Sequence, residues 1–112
     1  MGGIGRLYKK ENIKINKTIN IECELYERLK DLMENVYDTT ISDLINIAIE
    51  DYIERNNPTF YGKPKNEFVT YRSIMIRKNN LEKLKQINDQ TSISVTRLIN
   101  GAIKEFLENI EG

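Results

Sequence analysis

The stretch Lys14–Ile21 reads Lys-Ile-Asn-Lys-Thr-Ile-Asn-Ile and alternates with a period of two. Counting Ile13 in front of it, the odd positions are Ile13, Ile15, Ile19 and Ile21, interrupted only by Lys17. The even positions are Lys14, Asn16, Thr18 and Asn20. Such a period describes a strand with one dry face and one wet face. The wet face offers amide, hydroxyl and ammonium groups, which hydrogen-bond base edges and phosphates. The dry face needs a cover, and the strand's edges need a partner.

Beyond Ile21 the period changes. Leu25, Leu29, Leu32, Met33 and Val36 recur at helical spacing, which predicts a first helix over Cys23–Tyr37. Asp38-Thr39-Thr40 interrupts it, and Thr40 is an N-cap for a second helix over Ile41–Arg55. Ile41, Leu44, Ile45, Ala48, Ile49, Tyr52 and Ile53 give that helix an apolar face too wide for one partner. Asn56-Asn57-Pro58 ends it. The segment that follows reads as a linker, long enough at ~3.3 Å per residue to span roughly 35 Å.

The pattern then begins again. Thr70–Ile76 is β-prone, and Asn79 with Glu82 is a capping pair for a third helix marked by Leu81, Leu84 and Ile87 and ending near Gln90. Ser94 caps a fourth helix carrying Val95, Leu98, Ile99, Ala102, Ile103, Phe106 and Leu107. Ile19, Ile21, Leu29 and Leu32 fall on Ile74, Ile76, Leu84 and Ile87 at an offset of 55. Thr40, Ile41, Leu44, Ile45, Ala48 and Ile49 fall on Ser94, Val95, Leu98, Ile99, Ala102 and Ile103 at an offset of 54. The chain is an internal duplication of strand, helix and helix.

Composition sets bounds on function. With 39% hydrophobic and 30% charged residues, the 112-residue chain is globular, one ordinary domain or two small modules. It has no apolar run of membrane-spanning length and no signal-peptide core at its N-terminus, so the expected setting is the cytoplasm. One cysteine, Cys23, and no histidine exclude an internal disulfide, a Cys/His zinc site and His-based acid–base or nucleophilic catalysis. No enzyme, metal or other cofactor is expected. The net charge is zero, but unevenly spread. Residues 1–20 hold five bases against one acid, and residues 62–80 the same, a net of +4 each. Residues 21–61 hold three bases and ten acids, a net of −7. Positive charge accompanies the strands, and negative charge the helices.

Each half resembles the ribbon-helix-helix family of MetJ/Arc-type DNA-binding proteins: one strand, two helices, a hydroxyl residue capping the second helix and an alanine in its apolar face. The resemblance covers residues 14–55 and 70–109. It implies a mainly α fold with a two-stranded antiparallel ribbon on a four-helix core. Because both units lie on one chain, it implies a tandem single-chain pseudo-dimer, in which Lys14–Ile21 pairs with Thr70–Ile76. The domain reading is a basic arm (1–13), a first unit (14–56), a linker (57–68) and a second unit (69–110), the units forming one compact domain.

In that family the ribbon enters the major groove and alternate strand residues read bases. By position these are Asn16, Thr18 and Asn20 in the first unit and Tyr71, Ser73 and Met75 in the second. Asn pairs bidentately with adenine, whereas Met75 offers only apolar contact. The second-helix N-termini are the family's phosphate anchors: Thr39, Thr40 and Ile41, and Ile93, Ser94 and Val95. Lys14, Lys17, Arg72, Arg77 and Lys78 add cations for phosphate. The resemblance implies a double-stranded DNA-binding protein, monomeric in solution, with room for several copies side by side on a duplex. The roles that the resemblance implies are a transcriptional repressor or regulator, or a plasmid-type accessory protein for conjugation, partition or copy control. The alternative is a protein-interaction module such as an antitoxin-like scaffold, which the ending of the chain just past the fourth helix disfavours.

Overall fold

The alternating stretch forms one strand, β1 (Lys14–Glu22), and the second β-prone stretch forms another, β2 (Val69–Arg77). A computed structural model describes residues 13–55 and 68–111 of the chain. The expected arm and linker lie outside the described residues, apart from Ile13 and Phe68. The two strands pair antiparallel, Lys14 opposite Arg77 and Glu22 opposite Val69, so that Thr18 and Ser73 meet at the centre. Ile19, Ile21, Ile74 and Ile76 face inward and are at most 2% exposed, so the dry face has its cover.

Four helices provide that cover: α1 (Cys23–Asn35), α2 (Ile41–Glu54), α3 (Lys78–Thr91) and α4 (Val95–Glu111). The main helix–helix contact is α2 on α4. Leu44, Ile45, Ala48 and Ile49 are buried there together with their counterparts Leu98, Ile99, Ala102 and Ile103. The wide apolar faces read from the sequence are thus spent on each other and on the strands. Burial of each such aliphatic side chain stabilises by roughly 1.5–3 kcal/mol before chain entropy is counted. None of the helices among the described residues is long and apolar enough to cross a membrane.

Local chemistry sets the helix ends. Thr40 Oγ1 accepts from Asp43 N at 3.1 Å and Ser94 Oγ accepts from Arg97 N at 3.2 Å, as their cap positions predict. The third helix departs from expectation: it starts at Lys78 with Arg77 in the cap position, and Asn79 lies inside it. No side chain caps it; Arg77 N donates to Asn46 Oδ1 at 2.9 Å and Lys78 N to the Ile13 carbonyl at 2.8 Å, which satisfies two of its first N–H groups. The first helix stops at Asn35 rather than Tyr37, where Val36 N and Tyr37 N both turn back to the Leu32 carbonyl. The second stops at Glu54, one residue early. The third runs through Thr91 and closes on Ser92, which has φ 63° and donates its N–H to the Asn88 carbonyl. A left-handed residue other than glycine is uncommon, and it makes the tight turn into α4.

Two buried asparagines lock the units together. Asn46 of α2 donates to the Met75 carbonyl at 2.8 Å and accepts from Arg77 N, both on β2. Asn100 of α4 donates to the Asn20 carbonyl at 2.8 Å and accepts from Glu22 N at 3.0 Å, both on β1. Asn46 and Asn100 are counterparts at the offset of 54, as Asn20 and Glu22 are of Met75 and Arg77 at 55. Each unit's second helix therefore grips the other unit's strand, and the grip satisfies backbone groups on the strand's free edge.

Candidate nucleic-acid interface

The outer face of the ribbon carries all six alternate residues, Asn16, Thr18, Asn20, Tyr71, Ser73 and Met75, with no helix over them. The antiparallel register decides their neighbours. Asn16 lies opposite Met75, Asn20 opposite Tyr71, and Thr18 opposite Ser73, whose hydroxyls hydrogen-bond at 3.0 Å. The ribbon is thus not an asparagine half beside an apolar half. Each end carries one asparagine from β1 and one larger side chain from β2. Tyr71 is 71% exposed and Met75 39%, so both side chains are open to contact from outside.

Three of the five cations around this face are already engaged. Lys14 Nζ is 3.7 Å from Asp43 Oδ1, and Arg77 Nη1 is 3.2 Å from Glu50 Oε2. The Arg72 guanidinium lies 4.5 Å from the centroid of the Tyr26 ring of α1. That contact explains an arginine on the inward row of β2: the aromatic face holds the head at the rim instead of the core. Lys17, its counterpart on β1, is half-buried, as is Lys78 at the start of α3. Arg77 and Lys14 face each other across the ribbon, so the Asn16–Met75 end holds two cations, each paired with an acid of α2. Glu22 occupies the equivalent of Arg77 at the opposite end.

The second-helix N-termini differ between units. Thr39 and Ile41 are half-buried and Thr40 exposed; Ile93 and Val95 are half-buried and Ser94 exposed. In α2 the Asp43 carboxylate occupies the first turn, accepting from the Thr39 hydroxyl at 3.3 Å and facing Lys14. Its counterpart in α4 is Arg97. A carboxylate at a helix N-terminus competes with a phosphate for the same N–H groups and dipole, whereas an arginine adds to their attraction. Met75 N donates to Ser42 Oγ at 3.1 Å, which ties the N-terminus of α2 to the Asn16–Met75 end of the ribbon.

Periodicity alone does not find Asn46, Asn80, Asn100 or Ser42. Asn46 and Asn100 sit among apolar residues on a helix, where a polar residue reads as an interruption. Their recurrence at the offset of 54 is the signal that marks them. Asn80, which is 4% exposed, donates to Asn46 Oδ1 at 3.1 Å and Glu50 Oε2 at 3.0 Å. Away from the ribbon, a cleft of about 390 Å³ is lined by Tyr37, Leu44, Ile47, Phe106 and Ile110. Comparison of the chain with protein-family models, with curated proteins and with solved structures finds no match.

Proposed function

We propose that the protein binds double-stranded DNA by laying the β1–β2 ribbon in the major groove, as ribbon-helix-helix proteins do, and that it serves as a regulator of transcription or as an accessory protein assembling on DNA. The observation that carries this reading is the uncovered outer face. Six polar, aromatic and thioether side chains project from one paired ribbon whose inner face buries Ile19, Ile21, Ile74 and Ile76 in the core. A ribbon of this width fits the major groove, and asparagine is the side chain that pairs bidentately with adenine.

The register sharpens the target. One asparagine at each end calls for an adenine in each half-site, and the hydroxyl pair of Thr18 and Ser73 meets the centre. Met75 beside Asn16 favours a thymine methyl, whereas Tyr71 beside Asn20 reaches sugar, phosphate or a base edge. The half-sites are therefore related but unlike, and the preferred duplex is an imperfect palindrome. Phosphates are held by Lys14, Lys17, Arg72, Arg77 and Lys78 and by the N-termini of α2 and α4. On binding, phosphate replaces Asp43 and Glu50 as the partner of Lys14 and Arg77.

Selection from random duplexes followed by a salt titration tests this reading. The expected result is one preferred site with unlike half-sites. Five phosphate-neutralising cations give a slope of log affinity against log salt of about −4.5. Weak binding that is blind to sequence at moderate salt would refute it.

A further inference from the structure

The two ends of the molecule carry opposite charge patterns at equivalent positions. At one end Arg77 of β2 pairs with Glu50 of α2 at 3.2 Å, and Glu50 also accepts from Asn80. At the other end the counterpart of Arg77 is Glu22, that of Glu50 is Lys104, and that of Asn80 is the buried Leu25. Strand and second helix at each end come from different units. A second pair crosses the boundary as well: Arg55 Nε of α2 lies 3.1 Å from Glu105 Oε1 of α4, and Glu105 is only 8% exposed. The counterparts of Arg55 and Glu105 are Asn109 and Asp51.

Pairing like with like would break this pattern. Two first units, taken from two chains, would set Glu22 against Glu50 and Leu25 beside Asn46. Two second units would set Arg77 against Lys104 and withdraw Arg55 from a nearly buried Glu105. A single exposed ion pair contributes little, but a like-with-like exchange meets the Glu22–Glu50 and Arg77–Lys104 repulsions twice each and loses the Arg77–Glu50 attraction twice. We propose that Glu22, Glu50, Arg77 and Lys104 form a pairing code by which the first unit accepts only the second and a like unit of another copy is rejected; Arg55 with Glu105 adds to it only against a pair of second units, because in a pair of first units Arg55 meets Asp51. Attraction within the right pair and repulsion in the wrong one together set specificity. The linker favours the same pairing through local concentration. The code acts where the linker is weakest, among chains folding at high concentration. Its consequence is that the ribbon is always β1 with β2, whatever it binds.

Disulfide trapping in the full chain tests the proposal without reference to DNA. In a Cys23→Ser background, Thr18→Cys places one thiol at the ribbon centre. It faces Ser73 in the native ribbon and its own copy in a β1–β1 ribbon. Chains are refolded from urea at about 1 mM, near the effective concentration a short linker imposes, oxidised, and scored for linked dimer. Three forms are compared. The natural charges are the reference. Glu22→Arg with Lys104→Glu makes the two ends alike and is expected to raise the dimer by about tenfold or more. Exchanging all four charges (Glu22→Arg, Lys104→Glu, Arg77→Glu, Glu50→Lys) restores opposite ends and is expected to return the yield to the natural level. Should the first matched chain fail to fold, Arg77→Glu with Glu50→Lys matches the ends by the other route and carries the same expectation. Equal dimer from natural and matched chains, whether abundant or negligible, overturns the code; so does an exchanged chain that dimerises like the matched one.

Discussion

Replacing Asn46 by alanine removes four hydrogen bonds, and their distances allow the loss to be apportioned. The Ser42 carbonyl, at 2.9 Å from Asn46 Nδ2, lies in the same helix and keeps its backbone bond, so its share is close to zero. The Met75 carbonyl and Arg77 N–H, at 2.8 and 2.9 Å, lie on the free edge of β2 and lose a partner in a partly buried site. Each costs about 1–1.5 kcal/mol. Asn80 loses its bond to Asn46 and keeps Glu50, for about 1 kcal/mol more. Alanine returns about 0.6 kcal/mol as the better helix former. The net expectation is a destabilisation of about 2.5–3.5 kcal/mol. Asn100→Ala loses a bond to the Thr96 carbonyl of its own helix, again close to zero in cost, and the Asn20 carbonyl and Glu22 N–H on β1, and is expected to cost about 1.5–2.5 kcal/mol. Urea unfolding at constant m-value gives both numbers, and a double-mutant cycle of Asn46→Ala with Asn80→Leu, the residue type found at position 25, isolates the coupling between them. A loss below about 0.5 kcal/mol for Asn46→Ala would show that it does not hold β2, and a larger loss for Asn100→Ala than for Asn46→Ala would refute the apportioning by bond count.

Other outcomes follow from the same geometry. Asn16→Ala and Asn20→Ala are each expected to cost ~1–3 kcal/mol at the preferred duplex and to relax base preference in one half-site only; electrophoretic mobility shifts on site variants measure this, and a loss spread over all sequences assigns these residues to phosphate. Asp43→Asn frees the N-terminus of α2 and Lys14 for phosphate, so DNA affinity is expected to rise several-fold at low salt and to converge with the natural protein at high salt, whereas Arg97→Ala lowers it; an unchanged affinity for Asp43→Asn would remove phosphate from that helix end. Ser92→Gly relieves a left-handed serine and is expected to stabilise by about 0.5–1 kcal/mol in thermal or urea unfolding, while Ser92→Val destabilises.

Much of the fold was legible in local pattern. The alternation of Ile15, Ile19 and Ile21 with Asn16, Thr18 and Asn20 assigns faces to β1 because successive strand side chains point to opposite sides. Thr40 and Ser94 announce helix starts because a hydroxyl satisfies an orphan N–H three residues on. The start of α3 was misplaced for the complementary reason: Arg77 N and Lys78 N are satisfied by Asn46 and Ile13, residues far away in sequence, so no local cap marks the position. Lys17 and Arg72 break the inward rows of their strands, and only the Tyr26 ring, brought from another element, accounts for Arg72.

By itself the sequence determined which residues face outward on the ribbon, how many helices lie beneath it and that the two halves repeat, since each follows from periodicity or from an offset. Tertiary structure decided which outward residues are neighbours. A period of two fixes the face of a strand and leaves its register open. The register that forms is antiparallel about Thr18 and Ser73, which sets Asn16 beside Met75 and Asn20 beside Tyr71. An asymmetry that runs along the sequence, from a polar first strand to a more apolar second, is thereby turned across the ribbon, and each end receives one asparagine. Asn46 and Asn100, each bonded to the other unit's strand, hold that arrangement in place.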